Sequence, residues 1–349
     1  MSPAPGPAAP AASPPAPCGP LPEPARYVPL GAGPYRLEAG LHRFGTDFGN
    51  GPADRRMIQI DREWRRYRAQ KLVARRERLD KYVLEDRPRP ALVAALTDLL
   101  LDRLCTEHPD CFRLHRDRGA DLRLDCRLSG ERLRLDRGGR LLGVEPPGGR
   151  RRHGPRPPYA SAVDALLCQI QEDLALCQLE ADGSNRMSLL HLCAPNHWGA
   201  GDKIGRDFTA VHGPVPGFDR LARQARALVD TLSRKGPFVR FSWGLATDRR
   251  LNHHPEPPAG ADPGRWQGRR FEPGTGRLWL RVERQVTVPF AGAGGFAFLI
   301  RTGFVDVAGL GAGERQRLHR QVGSMKPETL AYKGIDRDRL LRWLESGIP

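Results

Sequence analysis

The chain has 349 residues, 39% of them hydrophobic, with 56 Lys and Arg against 40 Asp and Glu for a formal net charge of +16. That apolar content supports a substantial core and excludes a wholly disordered protein, and the length fits one large domain or two modest ones. Only Lys71, Lys81, Lys203, Lys235, Lys326 and Lys333 are Lys, so the excess is Arg scattered through every segment, a compositional bias that argues against a nucleic-acid-binding stripe.

Residues 1–26 are rich in Pro and Ala and lack a basic n-region and a continuous apolar h-region, so they read as a disordered tail rather than a leader around Cys18. On that reading, deleting residues 1–24 leaves the thermal midpoint nearly unchanged. No stretch approaches the roughly 20 apolar residues that span a bilayer, which points away from the membrane and to the cytoplasm. The Cys residues at 18, 105, 111, 126, 168, 177 and 193 form no C-x-x-C pair, so reduced thiols in a reducing compartment are expected, without structural zinc.

Residues 27–110 are expected to form an extended arm followed by helices. Gly and Pro mark 27–50 as irregular. A charged helix over 57–79 takes Asp61 as N-cap and puts Trp64, Tyr67 and Leu72 on its better face, and Pro90 opens an apolar helix over 91–108.

Residues 111–349 are expected to form the main domain. Leu122, Leu124, Cys126 and Leu128 alternate with charged residues, predicting two or three antiparallel strands between 120 and 144. A basic loop follows at 146–158. The apolar spacing of Val163, Leu166, Leu167, Ile170, Leu174 and Cys177 predicts a helix over 160–179, with Gln171 and Glu172 on its polar face. The Gly- and Pro-rich stretch 186–218 is predicted to hold no long regular element, and 218–234 to be an amphipathic helix. Strands are predicted at 238–245, 277–290 and 295–307, the last two joined by Ala-Gly-Ala-Gly-Gly, with closing helices at 314–325 and 337–344.

The chemistry-bearing block is 193–218, a polar, restricted loop that carries Trp198, Lys203 and His212. His212 precedes Gly213, Pro214, Val215 and Pro216, a rigid run able to hold an imidazole against a flat ligand. A lone loop His serves either as a hydrogen-bonded structural group or as a ligand, and neutral imidazole is a standard haem ligand. His191 and His197 rank below it, His191 reading as a core histidine and His197 as a pocket-wall donor. His253 and His254 fall in a Pro-rich insertion and are expected to be exposed. On the strand at 277–290, alternation puts Arg281 and Glu283 on one face and Arg284 on the other, for either cross-strand ion pairs or a pocket role.

The string formed by Trp198, Lys203, Gly205, His212, Pro214, Val215 and Pro216 resembles the haem-dependent oxidative N-demethylase alpha-subunit family. Further similarities run in order through Ile60 to Tyr67, Gln171 to Leu174, Arg240 to Trp243, Arg281 to Gln285, Phe298 to Thr302 and Tyr332 to Gly334. Ser242 stands where the family's motif has Asn, and Gly303 where it has an aromatic residue.

The resemblance implies an α+β fold built on a PAS-like antiparallel sheet of about five strands with flanking helices. It implies haem as cofactor and oxygen-dependent demethylation of a small secondary amine such as dimethylamine, with electrons from separate flavin and iron–sulfur reductase subunits. His212 is then the iron ligand; Trp198, Lys203, Arg240, Trp243 and Arg284 are candidates to hold the haem, and Glu283 and Arg281 are candidates to act on the amine. The alternative function is a haem-based gas or redox sensor of PAS type without turnover.

Overall fold

The computed structural model describes residues 18–116, 121–145, 155–269, 271–273 and 276–346. The tail up to residue 17 and the expected basic loop up to 154 lie outside the described residues. A short strand β1 (His42–Arg43) precedes helix α1 (Trp64–Tyr82), strand β2 (Val83–Glu85) and helix α2 (Pro90–Glu107). Strands β3 (Phe112–Arg116), β4 (Leu122–Cys126), β5 (Glu131–Leu135) and β6 (Leu141–Glu145) then form a four-stranded antiparallel sheet in sequential order. Next come α3 (Ala162–Leu167), β7 (Asp173–Leu179), β8 (Asn185–His191), α4 (Phe208–His212), α5 (Asp219–Ala222) and α6 (Ala225–Arg234). Strand β9 (Phe238–Ala246), helix α7 (Pro263–Trp266), the hairpin β10 (Trp279–Phe290) and β11 (Gly295–Asp306), and helices α8 (Ala312–Gly323), α9 (Pro327–Lys333) and α10 (Arg337–Glu345) complete the chain.

The main sheet has seven strands in the order β1-β9-β10-β11-β7-β8-β2, every neighbour antiparallel. The fold is therefore α+β with antiparallel sheets, and the main sheet is wider than the five strands expected. The hairpin of β10 and β11 anchors it, and Gly294, at φ +69, supplies the left-handed residue that closes the turn. Alternation along β10 sends Glu283 and Gln285 into a cavity, whereas Val286 and Val288 pack in the core cluster with Leu92 and Leu96 of α2. Leu92, Leu96, Leu100 and Leu104 of that helix are wholly buried, each burial contributing about 1.5–3 kcal/mol.

Several local expectations are corrected. The helix predicted over 160–179 stops at Leu167, and its second half is β7. Leu174 and Leu176 enter one apolar cluster and Ala175 and Cys177 another, so the strand is buried on both faces. A run that is apolar on every side has no period by which helix and strand differ. Gln171 and Glu172 are buried in the link between these elements: the Gln171 carboxamide accepts from Asp61 N at 2.8 Å and a Glu172 oxygen accepts from Gln59 N at 2.7 Å. Strand β8, seven residues long, reaches into the stretch expected to hold no long regular element, and the helix expected over 218–234 is broken into α5 and α6.

Helix α1 begins at Trp64, after Asp61 has accepted a hydrogen bond from Glu63 N at 2.9 Å. Its buried stripe is Trp64, Tyr67, Lys71, Ala74 and Arg75, not Leu72, which is only partly covered. Arg75 donates to both carboxylate oxygens of Asp164 and also to the carbonyls of Pro157 (3.1 Å) and Pro158 (2.9 Å). His191 adds a bond from Nε2 to Asp164 at 3.1 Å, so the core reading of His191 holds.

The N-terminal segment corrects two more expectations. Cys18 and Cys111 are joined by a disulfide, Leu21 packs against the core, and Pro22 accepts a hydrogen bond from Arg62 N at 3.0 Å. Ordered contacts thus begin before Tyr27, and two of the thiols are not free. The bridge closes a loop of 93 residues, and a cross-link of that span stabilises by about 2–4 kcal/mol, chiefly through the unfolded chain. Cys18→Ser should therefore lower the thermal midpoint under non-reducing conditions to the value the parent chain shows in reductant. Equal midpoints for parent and variant without reductant would show that the bridge contributes nothing.

Candidate functional site

A cavity of about 1100 Å³ lies between β9–β11 and the irregular arm that precedes β1. Its size is at the upper end for small-molecule and cofactor sites. The arm forms a wall rather than a loose cover. Tyr35 N donates to Ser324 Oγ at 2.8 Å, Gln321 donates to the carbonyls of Gly31 (3.2 Å) and Gly33 (3.3 Å), and Arg26 forms a 2.6 Å ion pair with Glu314.

His212, Trp198, Lys203, Arg240, Trp243 and Glu283 all line this cavity. Arg281 and Arg284 do not. The guanidinium of Arg281 donates to the carbonyls of Ala194 (2.7 Å), Leu251 (3.0 Å), Pro195 (3.2 Å) and Arg250 (3.3 Å). It therefore clamps two loops together. Arg284 points to the opposite face of the sheet, donating to Arg56 O at 2.8 Å. This is the alternation read from the sequence, except that Arg281 is consumed by backbone before it can reach the cavity.

His212 ends α4 rather than standing on a helix-free loop. Asp207 caps that turn by accepting from Ala210 N at 2.8 Å, and Lys203 donates to Val211 O, tying the preceding loop to the residue beside His212. The imidazole donates from Nδ1 to Phe208 O at 2.8 Å and stacks on Phe218 with ring centroids 5.4 Å apart. Burial, followed by the nearby positive charges of Arg240 and Lys203, pushes its pKa down to about 4 despite the Phe208 hydrogen bond. The ring is thus neutral at pH 7, and with Nδ1 donating, Nε2 carries the lone pair. Among the described residues, no protein hydrogen bond engages Nε2.

His197 reaches the same cavity from a left-handed backbone position, φ +62. Two backbone bonds hold it: His197 N donates to His253 O at 2.9 Å and His253 N donates to Pro195 O at 3.0 Å. The two imidazoles stack 5.4 Å apart, and burial and then Arg269 drive the His197 pKa down to about 2. His253 and His254 are buried, contrary to expectation. His253 donates to Asp248 at 3.0 Å, and Trp266 donates to His254 O at 2.6 Å, so the Pro-rich insertion folds inward to support His197.

Arg240 donates to Gln285 Oε1 at 3.2 Å, makes no ion pair among the described residues, and has a buried Nε without a partner. Glu283 accepts from Ser242 Oγ at 3.3 Å and from Gln285 Nε2 at 3.1 Å. Ser242 thus still touches the carboxylate beside it. Sequence reading missed Tyr35, Arg269, Gln285, Tyr332 and Lys333 as cavity residues. Gln285, Tyr332 and Lys333 lie in motifs that carried the resemblance, so a signal existed for those three; nothing local singles out Tyr35 or Arg269.

No helix is long and apolar enough to cross a membrane among the described residues. A family model described as haem-dependent oxidative N-demethylase, alpha subunit-like, matches residues 52–340. No curated protein matches the chain.

Proposed function

Because the chain belongs to the haem-dependent oxidative N-demethylase, alpha subunit-like family, we propose that its large cavity holds haem and that it oxidatively demethylates a small secondary amine in the cytoplasm. The observation that carries this reading is His212, a neutral imidazole on the cavity wall whose Nδ1 is satisfied by backbone while Nε2 is left for a metal. The buried, unpartnered Nε of Arg240 is the second point of fit, since a guanidinium with no ion pair among the described residues suits a propionate. When bound, haem supplies a redox-active iron able to activate dioxygen.

The chain's own residues do the rest. His212 would ligate the iron, Arg240 and Lys203 would pair with the propionates, and Trp198 and Trp243 would pack against the group, all of them residues of the cavity wall. Glu283 receives the substrate ammonium, oriented by Ser242 and Gln285. Arg281 is a positioning residue that fixes the loop bearing His197. We place the sheet and its helices in the PAS-like class on the strength of the family. The family's description as an alpha subunit implies other subunits, and we assign to them the flavin and iron–sulfur centres that deliver electrons.

Two measurements test this reading. Haem titration should give a Soret band that saturates at one haem per chain. With dimethylamine or another N-methyl amine, NADPH alone should release no formaldehyde, whereas NADPH with a flavin and iron–sulfur reductase should. Sustained turnover by the pure polypeptide with haem and NADPH would overturn the division of labour. A ligand-responsive Soret band without turnover in either mixture would replace the enzyme with a haem-based sensor.

A further inference from the structure

The cavity has two unlike ends. His212 and Lys203 lie at one, and Arg240 stands between the two, its charge acting on the imidazole on one side and on Glu283 on the other. Glu283, Arg269 and Lys333 lie toward the other, beside Tyr332, a residue that is 44% exposed and marks the mouth.

None of the three charged groups at the mouth end forms an ion pair among the described residues. Arg269 makes no hydrogen bond there either, and its Nε is buried and without a partner. Its stem crosses Gly334, where an added Cβ would stand 2.4 Å from Arg269 Cδ, and Gly334 is left-handed at φ +66. The glycine thus leaves the channel along which the guanidinium is held. Lys333 donates to Trp243 O at 2.6 Å and sits 4.8 Å from the Trp243 ring centroid and 5.3 Å from that of Tyr35. Burial lowers its pKa to about 8, so it is still mostly protonated at pH 7. Among the described residues, Glu283 accepts hydrogen bonds only from the neutral Ser242 and Gln285.

Glu283 acts on Lys333 through space, but no two of the three reach ion-pair distance among the described residues, so one carboxylate and two cations held apart complement a small molecule that carries both charges. We infer that the mouth end binds a zwitterionic secondary amine, an N-methyl amino acid, with its ammonium on Glu283 and its carboxylate on Arg269 and Lys333. A guanidinium fork matches a carboxylate bidentately, and the lysine adds a point charge. A simple dialkylamine satisfies Glu283 but offers neither Arg269 nor Lys333 a counter-charge. As a statement about substrate the inference rests on the N-demethylase reading, but the binding it requires does not depend on haem.

Calorimetry on the full chain, with and without haem, separates the two. N-methylglycine should bind at least about tenfold more tightly than dimethylamine, because the site's cations then find their partner. Arg269→Gln should erase that preference while leaving dimethylamine affinity unchanged, and Arg269→Lys should restore part of it. Glu283→Gln should weaken both ligands. Equal affinity for the two ligands, or equal weakening of both by Arg269→Gln in a protein whose circular dichroism matches the parent, would overturn the inference. A chain that prefers N-methylglycine yet shows no Soret band on haem titration would uphold it and sink the haem reading instead.

Discussion

His212→Ala is expected to abolish stoichiometric haem binding, weakening affinity beyond the roughly 10–100-fold that loss of a supporting hydrogen bond near a metal causes. The reason is geometric: this imidazole has one nitrogen held by Phe208 O and the other unengaged at the cavity wall. Haem titration followed at the Soret band reads the result. A variant that retains a full complement with an unchanged spectrum, while His197→Ala or His191→Ala loses it, would reassign the ligand. The low pKa adds a pH signature. An imidazole that titrates at about 4 when folded, against its ordinary 6.5 when unfolded, binds fewer protons folded than unfolded between those values. Its contribution to stability therefore falls as pH drops from about 6.5 to 4, and ligation persists until pH approaches 4.

The second large effect is on the core. Asp164→Ala should destabilise the fold by about 3–5 kcal/mol, the cost of leaving a buried charge without its partner. The side chains of Arg75 and Asp164 are 0% and 1% exposed, and His191 donates to the same carboxylate. Removing Asp164 leaves the Arg75 guanidinium with the carbonyls of Pro157 and Pro158 and the Tyr159 ring, and with no counter-charge in contact among the described residues. Although burial alone would raise it, the Asp164 pKa is held below its ordinary 3.8 by His191, Arg75 and the Ala160 N–H. The stabilisation is thus present above pH ~4 and lost as pH falls through the lower folded value. Urea unfolding of parent, Asp164→Ala and Asp164→Asn at neutral pH measures the effect. A midpoint shift within error for Asp164→Ala would show that Arg75 is satisfied by backbone alone.

The sequence by itself determined those features whose signal is local or repeated along the chain. Period-two alternation at Leu122, Leu124, Cys126 and Leu128 placed strands between 120 and 144, the Gly-rich connection between two strand-like runs placed β10 and β11 to within a few residues, and the apolar run of α2 identified a buried helix. Motifs spread in order from Ile60 to Gly334 carried the family, and the alternation of Arg281, Glu283 and Arg284 predicted which sheet face each would occupy. Tertiary structure alone decided the rest. Strand β7 was hidden because both of its faces are buried, which erases the period. Lys71 and Arg75 were hidden because their partners, Leu167, Glu172 and Asp164, lie far along the chain and turn charged residues into core. The cavity wall formed by Tyr35 with Lys333 and Trp243, the inward fold of His253 and His254, and the bridge from Cys18 to Cys111 depend on contacts between distant segments, and no local pattern records a contact of that kind.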